Sequence, residues 1–320
     1  MMRKKCLFMF IFLCCMVISG CKKENDVEEI TSNETFLTVD KIDIEIEEVY
    51  NVQVMLKEEF ATSSITFKSN NSSIFSIQNQ QEIIGKKEGK AQLQIFDDQG
   101  KRQGITIQVF AKNALKDTFS MDKGRLYQKN VLFYGDSITQ YEQWEGEYVL
   151  HLKDYYQFEH QNFAKSGTTI AYSSRYQGKE NGVTYMYHHQ QEHEWADYVF
   201  ILYGTNDIDE ATPVGIRDAE MLTNYDDKNP TYKGAINYAV KILREHNPNL
   251  RIIFLELLYR SVPIVQDFNK ALRNQCYYNE VKFIPLYDLW NAENVSVYSN
   301  DGLHPNSQGN LKMFERIISC

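Results

Sequence analysis

The chain has 320 residues, 43% hydrophobic and 24% charged, with only 6 Pro and 16 Gly. A length of this order suits two domains, and the composition excludes a collagen-like or largely disordered chain. With 34 bases against 43 acids the formal charge is −9, so no global field draws in a phosphate backbone and nucleic acid is excluded as a partner class.

The N-terminus reads Arg3-Lys4-Lys5, then an apolar run from Cys6 to Ile18, then Ser19-Gly20-Cys21. A basic start and a short apolar stretch fit an export signal and fall short of a bilayer span. The ending Ile18-Ser19-Gly20-Cys21 resembles the bacterial lipobox. That resemblance implies cleavage after residue 20, lipidation of Cys21, and an exported lipoprotein anchored on the outer face of a membrane at the cell surface. A plain secretory signal or an N-terminal anchor is the alternative. Removal of residues 1–20 takes away three bases and leaves 31 against 43 acids, a charge of −12. Of the six cysteines, Cys6, Cys14 and Cys15 leave with that segment and Cys21 is spent on lipid, so only Cys276 and Cys320 remain. They are too few for a disulfide framework and have no metal-ligand spacing; they either form one bridge or stay free.

Residues 21–34 are polar and acidic and read as a tether. Residues 35–112 have period two: Ile42, Ile44 and Ile46 alternate with Asp43, Glu45 and Glu47, and Ile105, Ile107 and Val109 with Thr106 and Gln108. Short apolar runs at Val52–Leu56, Ile65–Phe67, Ile74–Ile77 and Leu93–Phe96 lie between them, several separated by polar turn clusters. This pattern predicts a small all-β sandwich. The stretch from Phe67-Lys68-Ser69-Asn70 to Gly89-Lys90-Ala91 resembles the bacterial Ig-like group 2 domain, although the usual tryptophan is absent.

Residues 113–129 are polar, lack a clear period and read as a linker. From 130 to 320 the grammar changes. Buried-looking strands at Val131–Tyr134, Tyr198–Tyr203, Arg251–Leu258 and Val281–Tyr287 alternate with helical segments near Gly146–Tyr156, Tyr232–Glu245, Val265–Tyr278 and Ser307–Ile318. That alternation predicts an α/β domain, a parallel sheet with helices on both faces.

Ligands of open parallel sheets bind beyond the carboxyl ends of the strands. Such ends carry Gly135-Asp136-Ser137, Lys165-Ser166-Gly167, and Gly204-Thr205-Asn206-Asp207; Asp301-Gly302-Leu303-His304 precedes the last helix. One Ser, one His and one Asp, with glycines and an amide, are the parts of an acyl-transfer site. In isolation Ser137 is better read as an N-cap, Asn206 as a turn residue and His304 as a surface histidine; their joint occurrence reverses that.

The ordered set Gly135-Asp136-Ser137, Gly167, Gly204-x-Asn206-Asp207 and Asp301-x-x-His304 resembles the SGNH (GDSL-type) hydrolase superfamily. The resemblance covers residues 130–320 and implies a flavodoxin-like three-layer α/β/α sandwich. It implies Ser137 as nucleophile, His304 as base and Asp301 as the carboxylate that orients the imidazole. Its oxyanion hole would be the backbone N–H groups of Ser137 and Gly167 with the side-chain amide of Asn206. Asp136 and Asp207 are read as local caps and turn braces.

The α/β-hydrolase elbow is absent, because Thr139 stands where its second Gly belongs, and no dinucleotide or Walker loop occurs. No metal or organic cofactor is expected. His188, His189 and His193 lack zinc-protease spacing and read as an exposed helix face. The segment 171–195, with Tyr172, Tyr176, Tyr185, Tyr187 and Trp195, reads as a lid or substrate wall. Together these features predict a cell-surface serine esterase that removes short acyl groups, acetyl foremost, from small-molecule or glycan esters. An acyltransferase using the same site, and an inert glycan-binding or adhesion lipoprotein, are the alternatives.

Overall fold

The computed structural model describes residues 35–140, 147–173 and 181–320. The export signal, Cys21 and the tether lie outside the described residues. Among the described residues no helix is long and apolar enough to cross a membrane.

Among the described residues seven strands precede residue 112: β1 (Lys41–Glu45), β2 (Val49–Asn51), β3 (Thr66–Ser69), β4 (Phe75–Gln78), β5 (Glu82–Gly85), β6 (Gly89–Phe96) and β7 (Arg102–Phe110). They form a four-stranded sheet of order β1-β7-β6-β3 and a three-stranded sheet of order β2-β5-β4. Their inward residues, among them Ile44, Val52, Phe75, Ile83, Leu93, Ile105 and Ile107, build one core. The strict alternation of β7 explains this: Gln103, Ile105, Ile107 and Val109 are buried while the residues between them are not. The run Val52–Leu56 departs from expectation. It winds into a 3-10 turn, Gln53–Met55, because Asn51 Oδ1 accepts the N–H of Val54 and draws the chain round.

The second part holds β8 (Asn130–Gly135), β9 (Glu159–Asn162), β10 (Tyr198–Leu202), β11 (Arg251–Leu255) and β12 (Lys282–Ile284) in one parallel sheet of order β12-β11-β10-β8-β9. This is a doubly wound order whose direction reverses between β8 and β10. Right-handed crossovers then put Tyr148–Tyr156 on one face and Gly182–His188, Gln190–Trp195, Tyr232–His246 and Val265–Asn279 on the other. Ser307–Ile318 packs on Tyr148–Tyr156. The central strands read as unbroken apolar runs, with Tyr198–Leu202 buried throughout, because helices cover both faces.

Residues 113–129 do not run as a free polar linker. Phe119, Met121 and Leu126 are buried in the α/β core, and Asp122 caps a short helix, Lys123–Leu126. Arg125, 1% exposed, bonds Glu48 and the Asp43 carbonyl. Arg251 lies 3.0 Å from Glu45 and 3.2 Å from Glu48, and Glu45 also accepts the N–H of Leu115. The polar side of β1 therefore faces a second packed body instead of water; Glu45 is 5% exposed. All of these contacts sit at the amino ends of β10 and β11, where Tyr198 and Arg251 start their strands. Cys276 and Cys320 are both free thiols.

Candidate active site

Two loops leave adjacent carboxyl ends at the point where the strand order reverses. Beyond β8 the chain turns directly into the short helix Ser137–Gln140. A Cβ on Gly135 would stand 2.4 Å from Thr139 Oγ1, so only glycine allows that helix to fold so tightly against its strand. Asp136 is fully buried, and its Oδ1 accepts the N–H of Ile138 at 3.0 Å. Burial pushes its carboxyl up to about 6, partly opposed by that hydrogen bond and by nearby His304, Thr205 and Arg260.

Ser137 Oγ lies 2.9 Å from His304 Nε2, although 167 residues separate them in the chain. His304 Nδ1 in turn lies 2.7 Å from Asp301 Oδ2. The Asp301–His304 turn is held by its own carboxylate: Asp301 Oδ1 accepts the backbone N–H groups of His304 at 2.8 Å and Leu303 at 2.9 Å. Burial raises the Asp301 carboxyl, but the hydrogen bonds from the His304 side chain and these N–H groups more than reverse that and hold it well below the usual range. It is therefore ionised at any pH at which the protein works. Asn306 then caps Ser307–Ile318 by accepting the N–H groups of Gln308 and Gly309, which fixes the turn to a long helix.

Gly167 has φ +78°, a left-handed conformation that suits glycine. Its loop is pinned by the residues after β10. Asn206 Nδ2 donates to the Thr168 carbonyl at 3.0 Å, while buried Asp207 accepts the N–H of Ile170 at 2.9 Å and of Ala171 at 3.4 Å. Burial pushes the Asp207 carboxyl up to about 7 against those hydrogen bonds, and the neighbouring Asp136 raises it further. Asn206 has one amide hydrogen engaged and a second that meets no acceptor among the described residues. Among the described residues nothing accepts the backbone N–H of Ser137 or Gly167. The structure thus brings Ser137, His304 and Asp301 into one hydrogen-bonded line, and holds Gly167 and Asn206 together on one loop pair.

Residues 133–312 match the GDSL-like Lipase/Acylhydrolase family, more than half of the chain. The chain belongs to that family. It is an ester-hydrolysing enzyme of the SGNH type. Among solved structures, this GDSL-type hydrolase is similar to a Lactobacillus plantarum protein at 21% identity, covering 59% of this chain and 94% of that one with a TM-score of 0.49. It is also similar to a member of the lipolytic G-D-S-L family from Veillonella parvula, at 17% identity, covering 58% and 94% with a TM-score of 0.42. No curated protein matches the chain.

Three features of this GDSL-type hydrolase escape sequence reading. Tyr148 and Asn310, both buried, join the nucleophile turn to the base turn. Tyr148 hydroxyl meets Thr139 Oγ1 at 2.9 Å, its N–H donates to Asn310 Oδ1 at 3.3 Å, and Asn310 Nδ2 donates to the carbonyls of Pro305 and Asn306. Glu147, 8% exposed, is pushed up to about 7 by burial, opposed by a hydrogen bond with Asn310 and by the charge of His304. Arg260 bonds the Thr205 carbonyl at 3.1 Å and Asp209 at 3.0 Å, which brings a cation near Asp136. Arg260 alone had a signal, its place five residues past β11.

Two expectations need correction. His193 is not on an exposed face: it is fully buried, and its Nε2 lies 3.0 Å from the Tyr134 hydroxyl. Trp195 is no part of a wall around Ser137, because it stands just before β10, at the amino end of the sheet. Of the other aromatics, Tyr172 lies beneath Lys228 at 4.0 Å, Tyr187 stacks on Tyr225 at 4.0 Å, and Tyr185 packs on the core. Tyr176 lies outside the described residues.

Proposed function

We propose that this chain is a cell-surface serine esterase that removes short acyl groups, acetyl foremost, from glycan or small-molecule esters through an acyl-Ser137 intermediate. The observation that carries the reading is the line Ser137 Oγ–His304 Nε2–Asp301 at 2.9 and 2.7 Å. With Asp301 anionic, the imidazole proton sits on Nδ1, and Nε2 presents a lone pair to the serine hydroxyl. Ser137 attacks the ester carbonyl while His304 takes its proton. The tetrahedral oxyanion accepts hydrogen bonds from the N–H groups of Ser137 and Gly167 and from the second Asn206 amide hydrogen. His304 then returns the proton to the leaving alcohol, and water repeats the sequence on the acyl-enzyme.

The location rests on the lipobox-like Ile18-Ser19-Gly20-Cys21 ending, with lipid on Cys21, residues 21–34 as tether and the Ig-like module over 35–112. An esterase held outside a membrane meets acylated glycans first, which favours acetyl glycan esters over long-chain lipids. A fluorophosphonate probe should label Ser137 in the wild type and nothing in Ser137→Ala. Purified enzyme should release acetate from acetylated xylan or p-nitrophenyl acetate. Failure of both, with the protein folded, overturns the esterase reading. Cys21→Ala should move the protein from the membrane fraction to the medium, and unchanged partitioning overturns the lipid anchor.

A further inference from the structure

A cavity of about 680 Å³ opens far from Ser137, between the strand sheets of the first part and the amino ends of β10 and β11. Part of its wall, Glu45–Val49 with Lys112, Asn113 and Lys116, lies before residue 133 and so outside the stretch that matches the hydrolase family. The cavity depends on how this chain joins its two parts.

Its chemistry is specific. Five acids and five bases line it, so it has no net field for an anion or a cation. Most of those charges are already engaged. Arg251 pairs with Glu45 and Glu48, Lys112 with Glu47, and Lys116 with Glu280, while Arg244 donates to the carbonyls of Asn279 and Glu280. Lys129, Glu194, Asn113 and Asn249 have side chains that bond to none of the described residues, and Trp195 is 37% exposed beside them.

The backbone that carries Trp195 is held in place. Its carbonyl accepts from Asn130 Nδ2 at 3.0 Å, the next carbonyl, of Ala196, accepts from Asn247 Nδ2 at 2.8 Å, and Asp197 accepts the Asn130 N–H at 2.9 Å. An indole on a held backbone loses only its own rotamer freedom when a ligand stacks on it.

We propose that this cavity is a non-catalytic binding site for a neutral oligosaccharide. A sugar ring offers an apolar C–H face to an indole. Its hydroxyls donate and accept, which matches one ammonium, one carboxylate and two amides left unengaged in an otherwise charge-balanced pocket. The volume suits a di- or trisaccharide stretch of a longer chain. Nucleotides and phosphorylated ligands need a positive field, which the balanced lining does not supply.

The test is titration of the folded protein with maltotetraose, cellotetraose, mannotetraose, xylotetraose and chitotetraose, followed by tryptophan fluorescence and calorimetry. At least one should bind with a Kd on the order of 0.1–1 mM. Trp195→Ala should weaken that binding tenfold or more, and Trp195→Phe should restore part of it. Protein already labelled at Ser137 by a fluorophosphonate should bind that oligosaccharide equally well, which separates this site from substrate binding at the esterase centre. Three results overturn the proposal: no binding of any of the five at about 10 mM, binding that survives Trp195→Ala, or binding lost once Ser137 carries the fluorophosphonate.

Discussion

Asp301→Asn separates the electrostatic role of Asp301 from its role in holding the turn. Asp301 Oδ1 accepts three donors, the N–H groups of His304 and Leu303 and the Ser299 hydroxyl at 3.2 Å, while Oδ2 faces His304 Nδ1. An asparagine has one carbonyl oxygen, and three hydrogen bonds at about 1 kcal/mol each keep it in the Oδ1 position. The NH₂ group then stands opposite Nδ1 at 2.7 Å and can only donate. Nδ1 must become the acceptor, the imidazole proton moves to Nε2, and that nitrogen then donates to Ser137 Oγ instead of accepting its proton. The turn survives, but the base is in the wrong tautomer. A loss of about 10⁴ in kcat is expected, or about 5.5 kcal/mol of barrier, with KM within a few-fold of wild type. Steady-state hydrolysis of p-nitrophenyl acetate reads kcat, and a thermal melt confirms the fold. A folded Asp301→Asn enzyme that keeps more than a tenth of wild-type kcat refutes the tautomer argument.

Asn206→Ala should lower kcat by about 10²–10³ with little change in KM, because it deletes a donor to the transition-state oxyanion; a raised KM with kcat unchanged would assign Asn206 to ground-state binding instead. Glu48→Ala strips buried Arg125 of its carboxylate and Arg251 of one of two, and urea unfolding should show a loss of about 3–5 kcal/mol; a loss under about 1 kcal/mol would mean that water replaces the carboxylate. Burial lowers the pKa of His193 to about 4, so between that value and the unfolded value of about 6.5 the unfolded chain binds more protons. His193 stability is present above that window and lost as pH falls through it, by about 3 kcal/mol. His193→Phe should flatten this acid limb relative to wild type in pH-dependent melts, and identical acid sensitivity would disprove the assignment. The raised Asp136 and Asp207 carboxyls act in the opposite sense: their stabilisation is lost as pH rises, which is why the two proteins must be compared at each pH.

Much of the site was legible because its chemistry sits on short contiguous motifs at strand ends. Gly135-Asp136-Ser137 follows an apolar run, and sheet topology places whatever follows such a run near its neighbours' ends. The bounds of Ser307–Ile318 could be read because Asn306 is a capping residue before an amphipathic stretch. What faces a residue across the fold was not legible. Alternation in β1 assigns Glu45 to a polar side, but only the packed structure shows that Arg251 and Leu115 cover that side. Polar composition made 113–129 look like a spacer, yet four of its residues, Phe119, Met121, Arg125 and Leu126, anchor both parts of the chain. His193 lies among other polar residues in sequence and is buried because its helix turns that side toward Tyr134. Tyr148 and Asn310 carry no motif at all; the strut they form exists only once two distant helices pack.

The separation of Ser137 from His304 has a temporal consequence. A chain made from its N-terminus has the nucleophile about 170 residues before the base, and the capped helix that steadies the base comes after that. Closing a loop of that length costs about 4–5 kcal/mol of chain entropy, which only the completed sheet and helices offset. Until the final helix docks, Ser137 has no partner to take its proton. A nascent chain is therefore chemically silent toward esters, and the hydrolase becomes active only when the last segment of the domain folds into place.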